Sequence, residues 1–190
     1  MLRLSTVCII TLTLWGCSSP HASETSRVML PESTPSQQSA PSSKRFANSE
    51  RFSVDPAAHP YTLYEKAGEY MEAGDMREAG FWFYAGQLRY RIHLAARPDL
   101  PRDEDPALFA SLNMVFGQPI NGYLGGDPEM WENLIGEVLE WDEQMPNRFT
   151  PKDTYAEIHR KQREGLKEMQ DWIHDNHDEI REKRAANKSR

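Results

Sequence analysis

The sequence predicts an all-α protein of about five helices packed around one central, buried helix. The stretch from Asp75 to Ala96 carries apolar side chains on every side instead of along one stripe, and such a helix is normally covered by its neighbours. No segment of the body alternates apolar and polar residues with period two, which is the pattern of a half-buried strand. Helix-start signals, in which a capping residue precedes a proline, recur along the chain.

The first half of the body predicts a helical hairpin. Apolar and small residues recur at helical spacing between Pro60 and Gly74, and Gly74 is placed to end that helix. The central helix follows almost without a loop. It begins at the cap Asp75, contains the structural residues Trp82 and Phe83, and stops at Arg97-Pro98.

Three further helices are predicted in the second half, each opened by a cap and a proline. Their bounds are Asp105 to Gly117, Asp127 to Pro146, and Thr150 to about residue 180. Gly117 and Pro119 break the first of these helices, so residues 119–127 are expected to be irregular, with at most one helical turn. The predicted core face of that helix comprises Leu108, Phe109, Leu112, Met114, Val115 and Phe116. The last helix is the longest, and residues 181–190 form a basic tail that frays.

Residues 1–16 have the layout of a secretory signal. A positive charge at Arg3 precedes the short, mostly apolar run from residue 4 to 15, which is too short to span a membrane. The run ends in Leu14-Trp15-Gly16-Cys17, which resembles the lipobox of bacterial lipoproteins. The resemblance implies cleavage before Cys17 and a lipid on its sulfur. Ser18 stands where that family's inner-membrane retention signal has Asp, which implies an outer-membrane anchor facing the periplasm. The alternative is an ordinary cleaved signal.

Composition divides the rest of the chain. Residues 17–58 are rich in Ser and Pro and predict a disordered, lipidated tether. Residues 59–180 form the folded domain, with 24 Asp plus Glu against 12 Lys plus Arg, a net charge of −12. Such a body repels phosphates, which argues against nucleic-acid binding, and it suits a basic protein partner. The alternative is that this charge only keeps the domain soluble. Membrane contact is expected through the lipid alone.

Catalytic and metal motifs are absent from the sequence. Both cysteines, Cys8 and Cys17, lie in the signal region, so the body has no thiol chemistry. His174 and His177 are close enough to share a cation, but no spacing supplies a third ligand, and a solvated pair is expected. His93 is expected to be a hydrogen-bonded core residue. We therefore predict no enzyme, no metal and no cofactor, with a small hydrolase as a remaining alternative.

Polar residues inside the central helix need partners. Gln87, Arg89 and Arg91 interrupt its apolar surface, and a buried charge there must be paired. Arg91 is predicted to reach a carboxylate of the fourth or fifth helix, and a ligand-facing role is the alternative.

Two loop segments are candidates for contact with a partner. One is an acidic run stiffened by prolines, and negative charge speeds encounter with a basic cleft. The other sets an aromatic and an aliphatic side chain between glycines. The candidate residues are Asp103, Glu104 and Asp105 in the first segment and Asn121, Tyr123, Leu124 and Asp127 in the second. The alternative is that both are plain connections between helices.

The predicted hairpin resembles two kinds of helical repeat. The spacing of small and aromatic residues resembles that of a tetratricopeptide repeat at Ala67, Tyr70, Ala79, Phe83 and Gly86. It also resembles a Sel1-type repeat at Ala67, Gly74, Asp75, Ala79, Trp82 and Ala85. A lone, tightly packed hairpin is the alternative, since repeat arrays need about three units.

Lipoproteins of this plan resemble the immunity partners of antibacterial phospholipase effectors delivered by type VI secretion. That resemblance implies a non-catalytic protein that waits in the periplasm and covers the effector's active site. The 103–105 loop and the 121–127 segment would then enter or rim a basic cleft. A constitutive envelope protein that scaffolds an assembly is the alternative.

Overall fold

The computed structural model describes residues 50–188, and it confirms the all-α class. The described residues form six helices and no strand. The helices are α1 (Tyr61–Glu72), α2 (Met76–Ala96), α3 (Asp105–Leu124), α4 (Pro128–Gln144), α5 (Ala156–Asp175) and α6 (His177–Lys188). Among these helices, none has both the length and the apolar character needed to cross a bilayer. The expected signal, the lipidation site Cys17 and the tether up to residue 49 lie outside the described residues.

The central helix of the fold is α2, as predicted. Its N-cap Asp75 accepts a hydrogen bond from the backbone N–H of Glu78 at 3.0 Å. The four consecutive aromatic residues at positions 81–84 are all buried, although successive side chains on a helix point about 100° apart. Neighbours must therefore cover α2 around its whole circumference at these positions, and α1, α3, α4 and α5 all pack against it.

The predicted hairpin is formed by α1 and α2. Gly74 has a φ of +80°, a conformation that glycine adopts without strain, and it lies in the short turn between the helices. The backbones approach closely at Gly86, where a Cβ atom would lie 2.9 Å from Cδ2 of Tyr64. The small residues at positions 67, 79 and 85 are fully buried in the same core.

The helix α3 is longer than predicted. It continues through Gly117 and Pro119 to Leu124, so residues 119–127 are not irregular, and only 125–127 connect α3 to α4. Pro119 is exposed, and it deprives the carbonyl of Val115 of its usual donor. Val115 is also on the solvent side, so water can satisfy that carbonyl. Burial of Ile120 in the core holds the second half of the helix in place.

The last predicted helix begins later than expected and is divided in two. Residues 148–155 form turns, in which the Thr150 N–H donates to the side chain of Asn147 at 2.9 Å, so Thr150 does not cap a helix. A break at Asn176 then separates α5 from α6. Residues 181–188 are helical instead of frayed, and 189–190 lie outside the described residues.

The folded body begins earlier than the predicted boundary at residue 59. Arg51 is buried, and its Nε and Nη2 atoms each donate to the carboxylate of Glu78 at 2.6 Å. Its Nη1 atom reaches Glu137 on α4 at 2.9 Å, and its carbonyl accepts from Nε1 of Trp141 at 2.8 Å. The paired hydrogen bonds of a guanidinium and a carboxylate fix both distance and orientation, so residue 51 belongs to the core.

The buried arginine of α2 is Arg89, not Arg91. Arg91 is exposed, so its predicted role in the core is wrong, and Arg89 makes the expected contact with α4. The Nε atom of Arg89 donates to Oδ1 of the fully buried Asp142 at 2.7 Å. Its two terminal nitrogens each donate to a carbonyl of residues 145–146 at 3.0 Å. Arg163 of α5 binds the second oxygen of Asp142 at 2.8 Å, which joins three helices at one carboxylate.

We expect Arg89→Met to destabilise the protein by about 3 kcal/mol, because removing one partner of a buried ion pair leaves the other charge in the core. Arg91→Met is the matched control, two residues away on the same helix, and it should change stability by less than about 0.5 kcal/mol. Urea unfolding followed by tryptophan fluorescence measures both values. Equal effects from the two substitutions would contradict the assignment.

Gly86→Ala should destabilise the protein by about 1–3 kcal/mol, because the new methyl group overlaps the Tyr64 ring at the α1–α2 contact. Gly165→Ala is the matched control on the exposed side of α5, where the added Cβ meets no atom within 4 Å apart from its chain neighbours and its own helix backbone. Its expected effect is a stabilisation of about 0.5–1 kcal/mol from helix propensity. Thermal and urea unfolding test the pair, and a neutral Gly86→Ala would show that the helices are not tightly packed there.

Candidate functional site

Three side chains with metal-ligating atoms meet at the end of α2. His59 precedes α1, His93 lies in the last turn of α2, and Asp105 is the first residue of α3. One ligand atom from each lies within 4.8 Å of the others. The loop at residues 97–104 returns the chain from α2 to α3 and so places Asp105 beside His93. We call this group the His–Asp cluster.

Asp105 is the acceptor at the centre of the cluster. Its Oδ1 atom accepts from the hydroxyl of Tyr90 at 2.9 Å, and Oδ2 accepts from Nε2 of His93 at 2.7 Å. Nε2 of His59 lies 3.3 Å from the same carboxylate. The backbone N–H of Tyr61 donates to Nδ1 of His59 at 3.1 Å, so the proton of this neutral imidazole is on Nε2 and points at Asp105.

Aromatic rings surround the cluster on its inner side. The His59 ring packs edge-on against Phe149 and Tyr90, with centroid distances of 4.9 and 5.3 Å. The His93 ring lies 5.0 Å from Phe149. The side chain of His93 is 3% exposed, whereas those of Asp105 and His59 are 23% and 31% exposed. The cluster is therefore closed by the core on one side and open to solvent on the other.

The protonation states follow from this environment. Burial raises the pKa of Asp105, but hydrogen bonds from His93, Tyr90 and His59 outweigh that effect and lower the pKa below its ordinary value. Burial lowers the pKa of His93, against the opposing effect of Asp105. Burial and the hydrogen bond to Asp105 both raise the pKa of Tyr90. These directions favour an ionised Asp105 that accepts from the neutral forms of His93 and Tyr90. The Nδ1 atom of His93 is buried and has no hydrogen-bond partner among the described residues.

The first predicted contact segment is only partly available to a partner. Asp103 and Glu104 are exposed, as a contact loop requires. Asp105 is turned inward to the cluster, so its carboxylate is committed to holding the start of α3. The acidic run therefore presents two outward charges, and the exposed Arg102 lies beside them.

Most of the second predicted contact segment has a structural role. Oδ1 of Asn121 accepts from the Tyr84 hydroxyl at 2.8 Å, and Leu124 is fully buried in the core. Asp127 caps α4 by accepting from the Met130 N–H at 3.0 Å. Tyr123 and Asp127 are both exposed, and because Asp127 is committed to the cap of α4, Tyr123 has the side chain that is most available for contact.

The predicted histidine pair is divided between α5 and α6. Nδ1 of His174 lies 3.1 Å from Oε1 of Glu132, and Nε2 of His177 lies 3.0 Å from Oε2 of the same residue. The pair is therefore not simply solvated, because it shares a carboxylate of α4 across the break at Asn176.

Sequence reasoning missed an exposed apolar surface on α3. Met114 and Val115 were predicted to face the core, but they are 78% and 65% exposed, and Leu108 is also exposed. The inward stripe comprises Phe109, Leu112, Phe116, Ile120 and Leu124, at successive spacings of three or four residues. That spacing continues past Pro119. Had the helix been extended through the proline, the spacing would have distinguished the inward side of α3 from its exposed side.

The His–Asp cluster itself has no sequence signature, because its members are 34 and 12 residues apart and lie in three different elements. No protein-family model, curated protein or solved structure matches this chain. The functional argument therefore depends on the geometry and chemistry of the chain's own residues.

Asp105→Ala should destabilise the protein by about 2 kcal/mol or more, because it removes the acceptor of the Tyr90 and His93 donors at the start of α3. Asp103→Ala removes an exposed carboxylate from the same loop and is expected to change stability by less than about 0.5 kcal/mol. Urea unfolding at pH 7 compares the two. A similar small effect from both would show that the cluster does not hold the start of α3.

Proposed function

We propose that this chain is a non-catalytic, lipid-anchored protein-binding module of the cell envelope that binds its partner through the outward surface of α3. We define the α3 face as the exposed residues Ala107, Leu108, Ala110, Ser111, Met114, Val115, Gln118, Pro119 and Tyr123. The observation that carries the proposal is that this face is both exposed and without charge.

The lack of charge distinguishes the α3 face from the rest of the molecule. Residues 106–126 contain no Asp, Glu, Lys or Arg in a chain that is 27% charged. The outward surfaces of α5 and α6, by contrast, carry ion pairs such as Arg160 with Glu157 and Lys183 with Glu179. A contiguous exposed apolar surface often marks an interaction site, whereas apolar side chains that are exposed singly are common and have no such meaning.

The exposed parts of both predicted contact segments lie at the ends of this face. Asp103 and Glu104 immediately precede α3, and Tyr123 is in its last turn. The helix has 20 residues, which corresponds to a length of about 30 Å. The three features together form one elongated surface with apolar groups in the middle, acidic groups at one end and an aromatic group at the other.

The chemistry of this surface suits an enzyme that acts on lipids. Such an enzyme must expose apolar surface where acyl chains enter, and a rigid apolar helix is complementary to that surface. Basic groups near the entrance would meet the acidic body, whose net charge over residues 59–180 is −12. The proposed mechanism is steric: the α3 face covers the entrance of a phospholipase-type antibacterial effector, as an immunity protein does, and this requires no catalytic residue in the present chain.

The double substitution Met114→Glu with Val115→Glu tests this proposal. Both side chains are exposed, so folding should be unaffected, while two charges in a desolvated contact should weaken partner binding by at least about tenfold. The measurement is capture of a partner from periplasmic extract, followed by titration of the captured protein and by an assay of its lipase activity. Lys161→Gln with Lys167→Gln is a control on α5 with the same change of net charge.

Inhibition of a lipase by the wild-type chain, lost in the α3 variant and kept in the control, supports the immunity proposal. Capture of a constitutive envelope component through the same face supports the scaffold alternative. Binding that is unchanged in the α3 variant would contradict the proposed surface.

A further inference from the structure

We propose that His59, His93 and Asp105 bind a first-row divalent transition-metal ion, for which Zn²⁺ is the probe. This site is independent of the α3 face, and neither proposal requires the other.

The donor set selects this class of ion. Two imidazole nitrogens and one carboxylate oxygen are ligands that Zn²⁺ and its neighbours in the first transition row bind well. Ca²⁺ and Mg²⁺ prefer sites made of oxygen alone. One ion about 2.1 Å from each ligand in tetrahedral geometry needs donor atoms about 3.4 Å apart. The His59 Nε2 to Asp105 distance is already 3.3 Å, and the His93 Nε2 to Asp105 distance of 2.7 Å must widen by about 0.7 Å.

The positions of the three ligands favour a metal site over a loose surface contact. His93 is fixed by the core at the end of α2, and Tyr90 orients the carboxylate of Asp105. The ring of His59 packs edge-on against Phe149 and Tyr90. The exposed fractions of Asp105 and His59 leave a path for an ion to enter. Three protein ligands with a fourth position open to water is a common arrangement for Zn²⁺.

Metal binding requires a proton to move within each imidazole. In the structure both Nε2 atoms face the carboxylate of Asp105, an arrangement in which each of them carries the proton of its ring. A metal at Nε2 needs the lone pair there, so the proton of each ring moves to Nδ1, and both rings stay neutral. Nδ1 of His93 has no partner among the described residues, so no bond is lost there. In the structure Nδ1 of His59 accepts a hydrogen bond from the Tyr61 N–H, and this bond must break when the proton moves to Nδ1.

The Tyr61 amide is therefore a reporter of metal binding at this site. Two further histidines, His174 and His177, lie beside Glu132 at the α5–α6 break and have no contact with Tyr61 among the described interactions. An ion bound there would leave the Tyr61 amide unchanged, so the two locations can be distinguished in one experiment.

The test uses the full chain with Cys8→Ser and Cys17→Ser, so that no thiol competes for the metal. Zn²⁺ affinity is measured by competition with a chromophoric chelator, and the Tyr61 amide is followed by NMR. We expect one equivalent of Zn²⁺ to bind and the Tyr61 resonance to shift. His59→Gln should weaken Zn²⁺ binding by at least about tenfold. Removing a residue that only hydrogen-bonds to a metal ligand already has an effect of that size, and His59 is a proposed ligand itself. Because His59 also packs on Phe149 and Tyr90, urea unfolding of this variant is measured alongside to check that the fold is kept.

Asp105→Asn gives a second variant, which keeps one acceptor oxygen but loses the charge and the second acceptor, and it should also lose affinity. The double variant His174→Gln with His177→Gln should bind Zn²⁺ as the parent chain does. Three results would overturn the proposal: an affinity unchanged in His59→Gln, a Tyr61 resonance that does not respond to Zn²⁺, or loss of binding in the His174 and His177 variant alone.

Discussion

The structure depends on the burial of α2 along most of its length, which forces the charged side chains in the buried part of that helix to find partners. One carboxylate, one guanidinium and one imidazole of α2 are buried, and each is paired with a different part of the fold. The pairs are Glu78 with Arg51 of the N-terminal segment, Arg89 with Asp142 of α4, and His93 with Asp105 of α3. An unpaired charge in a core costs several kcal/mol, so these contacts specify how the covering elements are placed as well as how tightly they pack.

The same constraint explains why one face of α3 is available for function. Its inward stripe is used to cover α2, and Asp105 fixes its first turn, so the helix is held firmly from one side only. The opposite side is free to present apolar groups without loss of stability. A rigid helix loses little entropy on binding, which favours it as a recognition surface. A metal ion at the His–Asp cluster would tighten the hold on the start of this helix and so make its position still better defined.

The sequence predicts the parts of this fold that depend on composition and local chemistry. The all-α class, the hairpin, the cap at Asp75 and the burial of Trp82 all follow from such patterns. Arg89 could not be separated from Arg91, because a helix that is apolar all round has no polar side to set its phase. Pro119 was misread because its tolerance depends on solvent reaching the carbonyl of Val115. The His–Asp cluster is created by tertiary packing alone, and the lipid anchor and the partner remain predictions.

Native-state hydrogen exchange tests the burial of α2 most directly. If α2 is covered on every side, the amides of residues 81–90 exchange only through global unfolding and are the slowest in the body. The amides of α6, at the end of the chain, then exchange through local opening at much lower free energy. Exchange of the residues 81–90 as fast as that of α6 would contradict the account, because a helix that opens locally cannot be the one around which the others are packed.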